Sequence, residues 1–373
     1  MHQAFTAGLL ALLAVGCTAD RNVIGPAPPV DIPFDPQATA NSIYSLRFAA
    51  DNAIIAQVRT ISELLGLSEP RASRVSHAQV RGANERLSLL RALRPRSLER
   101  AVTNIAAARA QGSSIPLFPI NYLGKEFVFD PHIDAYVEVG DRGPENGVRF
   151  ELYVVDLSTG LPALPPRPFG FVDLMDESDA VSTRLRVEAF DTSGGGAFRV
   201  ADYVVDGAFA TGRRGVSVSL LSEGFVEDQH GRFDFELEEL LESDDAAGVT
   251  RVTSDHRVLS AEDTEVRLTV AGDLSFDGMH ADLVFRMDID GAGGQTFVDL
   301  RVVDGAQDGE IRHGGRREAL VGGTVEAPAF VDLAGRGFTD SEVLALDEIL
   351  FGIDDILVLA GEAYVPLADL FAF

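Results

Sequence analysis

The chain has 373 residues, of which 46% are hydrophobic and 24% are charged. This composition is that of an ordinary globular protein, long enough for one large domain or two smaller ones. The formal net charge of −27 disfavours nucleic acid as a partner, because the phosphates would be repelled, and the single cysteine, Cys17, excludes a disulfide within the chain.

The first predicted element surrounds that cysteine. The apolar run at 9–15 is too short to cross a bilayer, which needs roughly 20 apolar residues, but it suits the core of a secretory signal peptide. Ala14-Val15-Gly16-Cys17 resembles the lipobox of bacterial lipoproteins. The resemblance implies a signal peptide over 1–16, a lipidated Cys17 that anchors the chain in the cell envelope, and, through Thr18, the outer membrane. A plain signal peptide or a buried thiol would also explain the cysteine.

Residues 17–38 are predicted to be a tether between the membrane and the folded body. Proline fixes φ and removes the backbone N–H donor, so a proline-rich segment is extended and has no core of its own. At about 3.1 Å per residue the tether would reach up to about 60 Å. Its prolines are Pro26, Pro28, Pro29, Pro33 and Pro36.

A helical segment is predicted over 39–112. Apolar residues at three- and four-residue steps indicate an amphipathic helix over 39–66, capped by Thr39 or Asn41 and ended near Gly66. Two further helices are predicted over 75–93 and 97–110. The stripe of the first helix consists of Ile43, Leu46, Ala50, Ile54, Val58, Ile61 and Leu65.

The helical segment and the rest of the chain carry opposite charges. Residues 41–112 contain 11 arginines and 5 acidic residues, a net charge of +6. Residues 113–373 contain 19 basic and 50 acidic residues, a net charge of −31. We expect the arginines to contact acidic residues of the same chain or an anionic component of the envelope. The residues in question are Arg81, Arg86, Arg91 and Arg94.

Residues 113–335 are predicted to form a large antiparallel β domain of about twelve to fourteen strands. Polar and apolar residues alternate through this region, as at 149–154 and 232–237, which indicates strands with one buried face. No helical crossover interrupts them, so the fold class is mainly β with flanking helices (α+β), built on a meander. The pattern leaves open a flat sheet, a curved sheet or a half-barrel. Tight turns are predicted at Asp206-Gly207, Asp277-Gly278, Asp290-Gly291 and Asp304-Gly305.

Residues 336–373 are predicted to be a helical segment that packs on the sheet. Thr339-Asp340-Ser341-Glu342 has the form of a capping box at its start. The segment behind it is apolar but contains four acids between 347 and 355, which makes it a poor membrane span.

The sequence contains no catalytic, phosphate-binding or dinucleotide motif. Two acidic stretches are candidate metal sites. Asp130, His132 and Asp134 could hold a divalent metal ion, and Asp288 and Asp290 could hold calcium, which binds several oxygen ligands. Turns between strands are the favoured explanation of both stretches, and no other cofactor is indicated.

These features favour a lipid-anchored envelope protein with a non-catalytic binding or scaffold role, whose inward-facing residues would hold an apolar ligand or fill a core. Two alternatives remain: an envelope hydrolase whose site is assembled from distant residues, and an outer-membrane β-barrel. The residues expected to face inward are Phe150, Leu152, Phe233, Phe235, Phe285 and Met287.

Overall fold

The computed structural model describes residues 32–50, 54, 57, 58, 61 and 117–350, apart from gaps at 157–160, 180–181, 212–214, 229–230, 245–248, 262–264, 277–280, 292 and 326. Cys17, the arginines at 81, 86, 91 and 94, the predicted helices over 75–93 and 97–110, and the Asp277-Gly278 turn lie outside the described residues. Residues Pro33–Phe373 form one compact unit, within which the predicted segment boundaries at 112 and 335 fall.

The described part of this unit contains seventeen strands. They are β1 (Lys125–Asp130), β2 (Ala135–Gly140), β3 (Gly147–Tyr153), β4 (Val155–Asp156), β5 (Leu161–Pro162), β6 (Pro168–Asp176), β7 (Thr183–Asp191), β8 (Phe198–Thr211), β9 (Gly215–Asp228), β10 (Gly231–Asp244), β11 (Val249–Ala261), β12 (Glu265–Phe276), β13 (Ala281–Gly291), β14 (Gly294–Val303), β15 (Ala306–His313), β16 (Arg316–Thr324) and β17 (Ala327–Asp332).

Fifteen of these strands form one open sheet. From β6 to β17 every strand is antiparallel to the next in sequence, which is the predicted meander. At the other end the order is β6-β3-β1-β2, and β1 runs parallel to β3, an exception to the antiparallel prediction. β4 and β5 pair separately. The fold is thus mainly β with flanking helices, and its seventeen described strands exceed the predicted twelve to fourteen, in part because the two-residue strands β4 and β5 leave no alternating pattern.

The sheet has an inner face, on which the helices pack, and a charged outer face. In β7 the buried side chains of Leu185, Val187 and Ala189 alternate with Arg184, Arg186 and Glu188, because successive side chains of a strand point to opposite faces. Burying one large apolar side chain contributes about 1.5–3 kcal/mol. All six residues predicted to face inward are buried: Phe150, Leu152, Phe233, Phe235, Phe285 and Met287.

One of the predicted Asp-Gly turns is confirmed, and two of them lie inside strands. Asp304-Gly305 connects β14 to β15 with φ values of 49° and 85°. Asp290-Gly291 forms the last two residues of β13, paired with Gln295 and Gly294 of β14, so the turn of this hairpin follows the predicted dipeptide. Asp206-Gly207 instead lies inside β8, paired with β7 on one side and β9 on the other. Ladders on both sides satisfy its backbone groups, so the local preference for a turn is overridden.

Helix α1 (Pro36–Ala50) packs against β10–β13. It begins three residues before the predicted cap, because the Asp35 carboxylate accepts hydrogen bonds from the backbone N–H groups of Gln37 and Ala38. Pro36 occupies the first helical position, where its missing N–H costs nothing. The predicted stripe is confirmed in the residues with described side chains: Ile43, Leu46, Ile54, Val58 and Ile61 are buried.

Helix α2 covers residues 340–350. Its capping box is confirmed: the Thr339 N–H donates to Glu342 Oε2 at 2.8 Å, and the Glu342 N–H donates to Thr339 Oγ1 at 3.3 Å. Leu346 and Ile349 are buried in the core, whereas Leu344 is 69% exposed. Arg47 of α1 forms an ion pair with Glu348 of α2 at 3.5 Å. Within the described ranges, no helix is both long and apolar enough to span a membrane.

Candidate functional site: a buried polar band on the inner face

The first predicted metal site lies in the turn between β1 and β2. The backbone N–H of His132 donates to Asp130 Oδ1 at 2.8 Å, and Asp134 adopts a positive φ of 50°. These contacts are those of a tight turn. Nowhere in the described ranges do three or more His, Cys, Asp or Glu side chains gather to hold a metal ion.

The predicted calcium ligands project from the outer face of β13. The Asp288 carboxylate accepts hydrogen bonds from the Gln295 side-chain amide at 3.0 and 3.2 Å. Burial, together with the negative charge of Asp290, raises the pKa of Asp288. The structure therefore brings these two carboxylates onto one face and adds no third carboxylate or histidine ligand from the described residues.

A different group of polar side chains lies on the inner face of β9, β10 and β11. We call Ser222, Glu239, Ser254 and His256 the polar band. Glu239 is directly opposite Ser254, while Ser222 and His256 lie on either side of Leu237 in the neighbouring row. The register of three strands therefore brings together residues up to 34 positions apart in sequence.

Two members of the polar band are fully buried without a hydrogen bond. Ser222 is 0% exposed and His256 is 1% exposed, and neither the hydroxyl nor either ring nitrogen has a hydrogen-bond partner in the described part of the chain. His256 Nε2 lies 3.5 Å from Glu239 Oε1, and the Glu239 side chain is 18% exposed. Buried polar atoms are nearly always hydrogen-bonded in folded proteins, so unpaired ones indicate a site that another group completes.

The polar band does not have the arrangement of a nucleophile and its base. Ser222 and His256 lie on strands separated by β10, and neighbouring strands are about 4.8 Å apart. The hydroxyl and the imidazole are therefore too far apart for the short hydrogen bond that activates a serine. Glu239 and His256 are the members of the polar band that lie close together, with Nε2 3.5 Å from Oε1.

The polar band lies between two apolar clusters. The main core includes Leu237 and Phe285 together with residues of α1 and α2. On the other side is a cluster that, in the described part of the chain, contains strand residues alone, and we call it the strand cluster: Val218, Leu241, Val252 and Leu274. A ligand on this stretch would find apolar surface on both sides of a few polar atoms.

Gly272 lies in the same row as Glu239 and Ser254, opposite Ser254 on the inner face of β12. Among the described residues, a Cβ at this position would meet nothing nearer than the carbonyl oxygen of Val284, at 4.0 Å, which is an ordinary van der Waals distance. By contrast, a Cβ at Gly291 of β13 would lie 2.6 Å from Ser42 Oγ of α1. Within the described residues, the inner face therefore has room for a methyl group at Gly272, whereas α1 fills it at Gly291.

A second buried histidine on the inner face, His313, does have a hydrogen-bond partner. His313 Nδ1 and Thr296 Oγ1 share a hydrogen bond of 3.0 Å, and Thr296 Oγ1 and Thr39 Oγ1 share another of 3.2 Å. The ring of Phe34 packs on His313 with centroids 5.5 Å apart. This chain of contacts fastens the first turn of α1 to β14 and β15, so His313 has a structural role that His256 lacks.

Two tyrosines at the β1–β3 end of the sheet are also fully partnered. The Tyr136 hydroxyl donates to the Glu151 carbonyl at 3.1 Å, and the Tyr153 hydroxyl donates to the Glu151 carboxylate. Burial raises the pKa of both phenols, so they stay neutral and hold their hydrogen bonds. Gln57 Oε1 accepts from the Tyr153 N–H at 3.1 Å, which ties the helical residues to the sheet.

The outer face of the sheet carries many ion pairs. Arg149 makes two hydrogen bonds of 2.7 Å to the Asp173 carboxylate, and Arg186 lies 3.0 Å from Asp202. The acidic β domain therefore neutralises part of its charge with its own arginines. The arginines of β9–β14 all belong to this face by the alternation of their strands: Arg232, Arg251, Arg257, Arg267, Arg286 and Arg301.

No protein-family model, curated protein or solved structure matches this chain. The polar band is therefore interpreted from its own geometry. Its defining features are two buried side chains that lack a hydrogen-bond partner among the described residues, and a carboxylate beside them.

The sequence patterns above predict no functional role for any residue of the polar band. One pattern in β10 does indicate a carboxylate on the inner face: Glu238 and Glu239 are adjacent, so one of the two must point inward. His256 and Ser222 gave no comparable signal, because a single polar residue at an inward position looks like an ordinary irregularity. Only the strand register brings them beside Glu239.

Proposed function

We propose that this chain is a lipid-anchored protein of the bacterial cell envelope that binds an apolar ligand on the inner face of its sheet. The observation that carries the binding role is the polar band itself: in the described part of the chain, the buried side chains of Ser222 and His256 have no hydrogen-bond partner, and the band lies between the main core and the strand cluster. Ligand sites are mostly apolar and contain a few polar groups that fix orientation. The polar band supplies such groups between two apolar surfaces.

The arrangement of the polar band favours binding over hydrolysis. Ser222 and His256 are two strands apart, so the hydroxyl has no base beside it. Turnover of a panel of ester, amide and glycoside substrates by the purified protein, lost in His256→Ala, would establish the hydrolase alternative instead.

The anchor is the lipidated cysteine that the lipobox resemblance implies. A single acyl chain holds a protein to a membrane only weakly, whereas two or more hold it durably. The proline-rich tether would let the folded body stand away from the outer membrane. The membrane and the apolar ligand are then the partners of this chain, with an anionic envelope component as a further partner for the arginines at 81, 86, 91 and 94.

The binding role is tested by extracting the purified full-length protein with organic solvent and analysing the extract by mass spectrometry. We expect one lipid-like species to recur between preparations in a fixed ratio to protein. A clean extract, together with failure of the protein to bind any added apolar probe, would leave only a scaffold role.

The anchor is tested separately by fractionating cells that express Cys17→Ser. We expect this variant to leave the membrane fraction or to remain unprocessed, while a Thr18→Ser control stays membrane-bound. Normal processing and membrane association of the Cys17→Ser variant would contradict the lipoprotein assignment without touching the binding role.

A further inference from the structure

We infer that the polar band selects the polar end of the ligand, and that this end is a hydrogen-bond donor without negative charge, best of all a primary ammonium. The ligand is then a long-chain amine, and a long-chain alcohol is the neutral analogue that binds more weakly. Fatty acids are excluded. This inference rests on the proposed binding role and specifies its chemistry.

The charge of Glu239 gives the first reason. On the inner face of β9–β14, Glu239 is the one carboxylate away from the strand ends, and every arginine of these strands belongs to the outer face. A carboxylate between two apolar clusters is costly unless a positive charge or hydrogen-bond donors accompany it. An ammonium group supplies both, whereas a carboxylate or phosphate would be repelled.

The unpaired atoms give the second reason. Ser222 and His256 are buried, and the hydroxyl and both ring nitrogens lack hydrogen-bond partners in the described ranges. A neutral imidazole has one acceptor nitrogen, and the serine hydroxyl can also accept. Together with Glu239, the polar band therefore offers acceptors to an incoming ammonium or hydroxyl group.

The apolar surroundings give the third reason. Glu239 lies between Leu237 of the main core and Leu241 of the strand cluster, one on each side along β10. Gly272, where the described residues leave room for a methyl group, lies two strands away in the same row. A ligand whose head is at Glu239 could therefore place its chain over the apolar residues of either cluster.

The test is a ranking of three twelve-carbon probes on the purified full-length protein, below their micelle concentrations. Dodecylamine, dodecanol and dodecanoate displace the neutral fluorescent probe N-phenyl-1-naphthylamine, and each displacement gives a dissociation constant. We expect dodecylamine to bind roughly tenfold or more tightly than dodecanoate, the size of effect that one charge-assisted hydrogen bond produces, with dodecanol between them.

Two matched variants assign the preference to Glu239. Glu239→Gln removes the carboxylate, and we expect the ratio of amine to acid affinity to fall to within about threefold of unity while the naphthylamine still binds. Glu238→Gln makes the same chemical change at the next residue, which is exposed on the outer face, and should keep the wild-type ratio. Circular dichroism checks that both variants are folded.

The outcomes separate the two proposals. If the wild-type protein binds neither the naphthylamine nor any of the three probes, the binding role itself is wrong. If the naphthylamine binds but dodecanoate competes as well as dodecylamine, the inference about the polar band is wrong and the binding role stands. The inference about the polar band is decided by the wild-type ranking alone. It can therefore be refuted even if the Glu239→Gln variant does not fold.

Discussion

Replacing Thr296 by valine should detach the first turn of α1 from the sheet. Thr296 is fully buried, and its hydroxyl lies between Thr39 Oγ1 at 3.2 Å and His313 Nδ1 at 3.0 Å. Valine has nearly the same shape, so the substitution removes the hydroxyl without opening a cavity. The change therefore isolates the hydrogen bonds that join α1 to β14 and β15.

The expected cost follows from what each partner loses. Losing a hydrogen bond whose partner keeps another costs about 1 kcal/mol, whereas losing one that leaves a buried partner unpaired costs about 1–3 kcal/mol. His313 is buried and loses its bond to the hydroxyl, whereas Thr39 keeps a second bond to the Asp35 carbonyl at 3.4 Å. The free energy of unfolding should therefore fall by about 2–4 kcal/mol.

The assay is urea unfolding followed by circular dichroism, which gives the free energy of unfolding and its denaturant dependence. Thr253→Val is the matched control, because the Thr253 hydroxyl donates to Asp273 at 3.0 Å on the exposed face. Surface substitutions of this kind change stability by about 0.5 kcal/mol or less. Equal effects of the two substitutions would refute the role assigned to the buried chain of contacts.

Two further substitutions test the packing of α1 and the cap of α2. Gly291→Ala should lower the free energy of unfolding by about 1–3 kcal/mol, because the new Cβ would lie 2.6 Å from Ser42 Oγ. Gly322→Ala is the control: its Cβ would meet no atom of the described residues within 4 Å, so it should leave the free energy of unfolding unchanged in the same urea titration. In the capping box, the hydrogen bond from the Thr339 backbone holds the pKa of Glu342 below its ordinary value of 4.5, so the ionised carboxylate stabilises the fold above that pH and loses its effect as the pH falls. The stability advantage of wild type over Glu342→Gln at pH 7 should therefore shrink as the pH is lowered below 4.5, and a difference that does not change with pH would contradict this origin.

Local periodicity was sufficient for much of the architecture. Alternation along single strands identified the inward residues, such as Phe233 and Phe235, and the three- and four-residue spacing identified the buried face of α1, such as Ile43 and Leu46. These predictions succeed because the side-chain repeat of a strand or helix is a property of a few consecutive residues. The capping box of α2 is local in the same sense.

Predictions failed where distant partners overrode a local preference. Asp35 replaced Thr39 as the cap of α1, and Thr39 instead uses its hydroxyl against Thr296, 257 residues away. Asp206-Gly207 has the chemistry of a turn, but β7 and β9 hold it within a ladder.

The sequence by itself therefore determined that this chain is a β meander with an apolar face and flanking helices. Tertiary structure alone decided that Glu239 would lie beside His256 and Ser222, and in the same row as Ser254 and Gly272. The physical reason is that hydrophobic alternation determines which side of each strand is buried, whereas the register between strands determines which buried residues become neighbours. A site assembled across four strands is thus a property of their pairing.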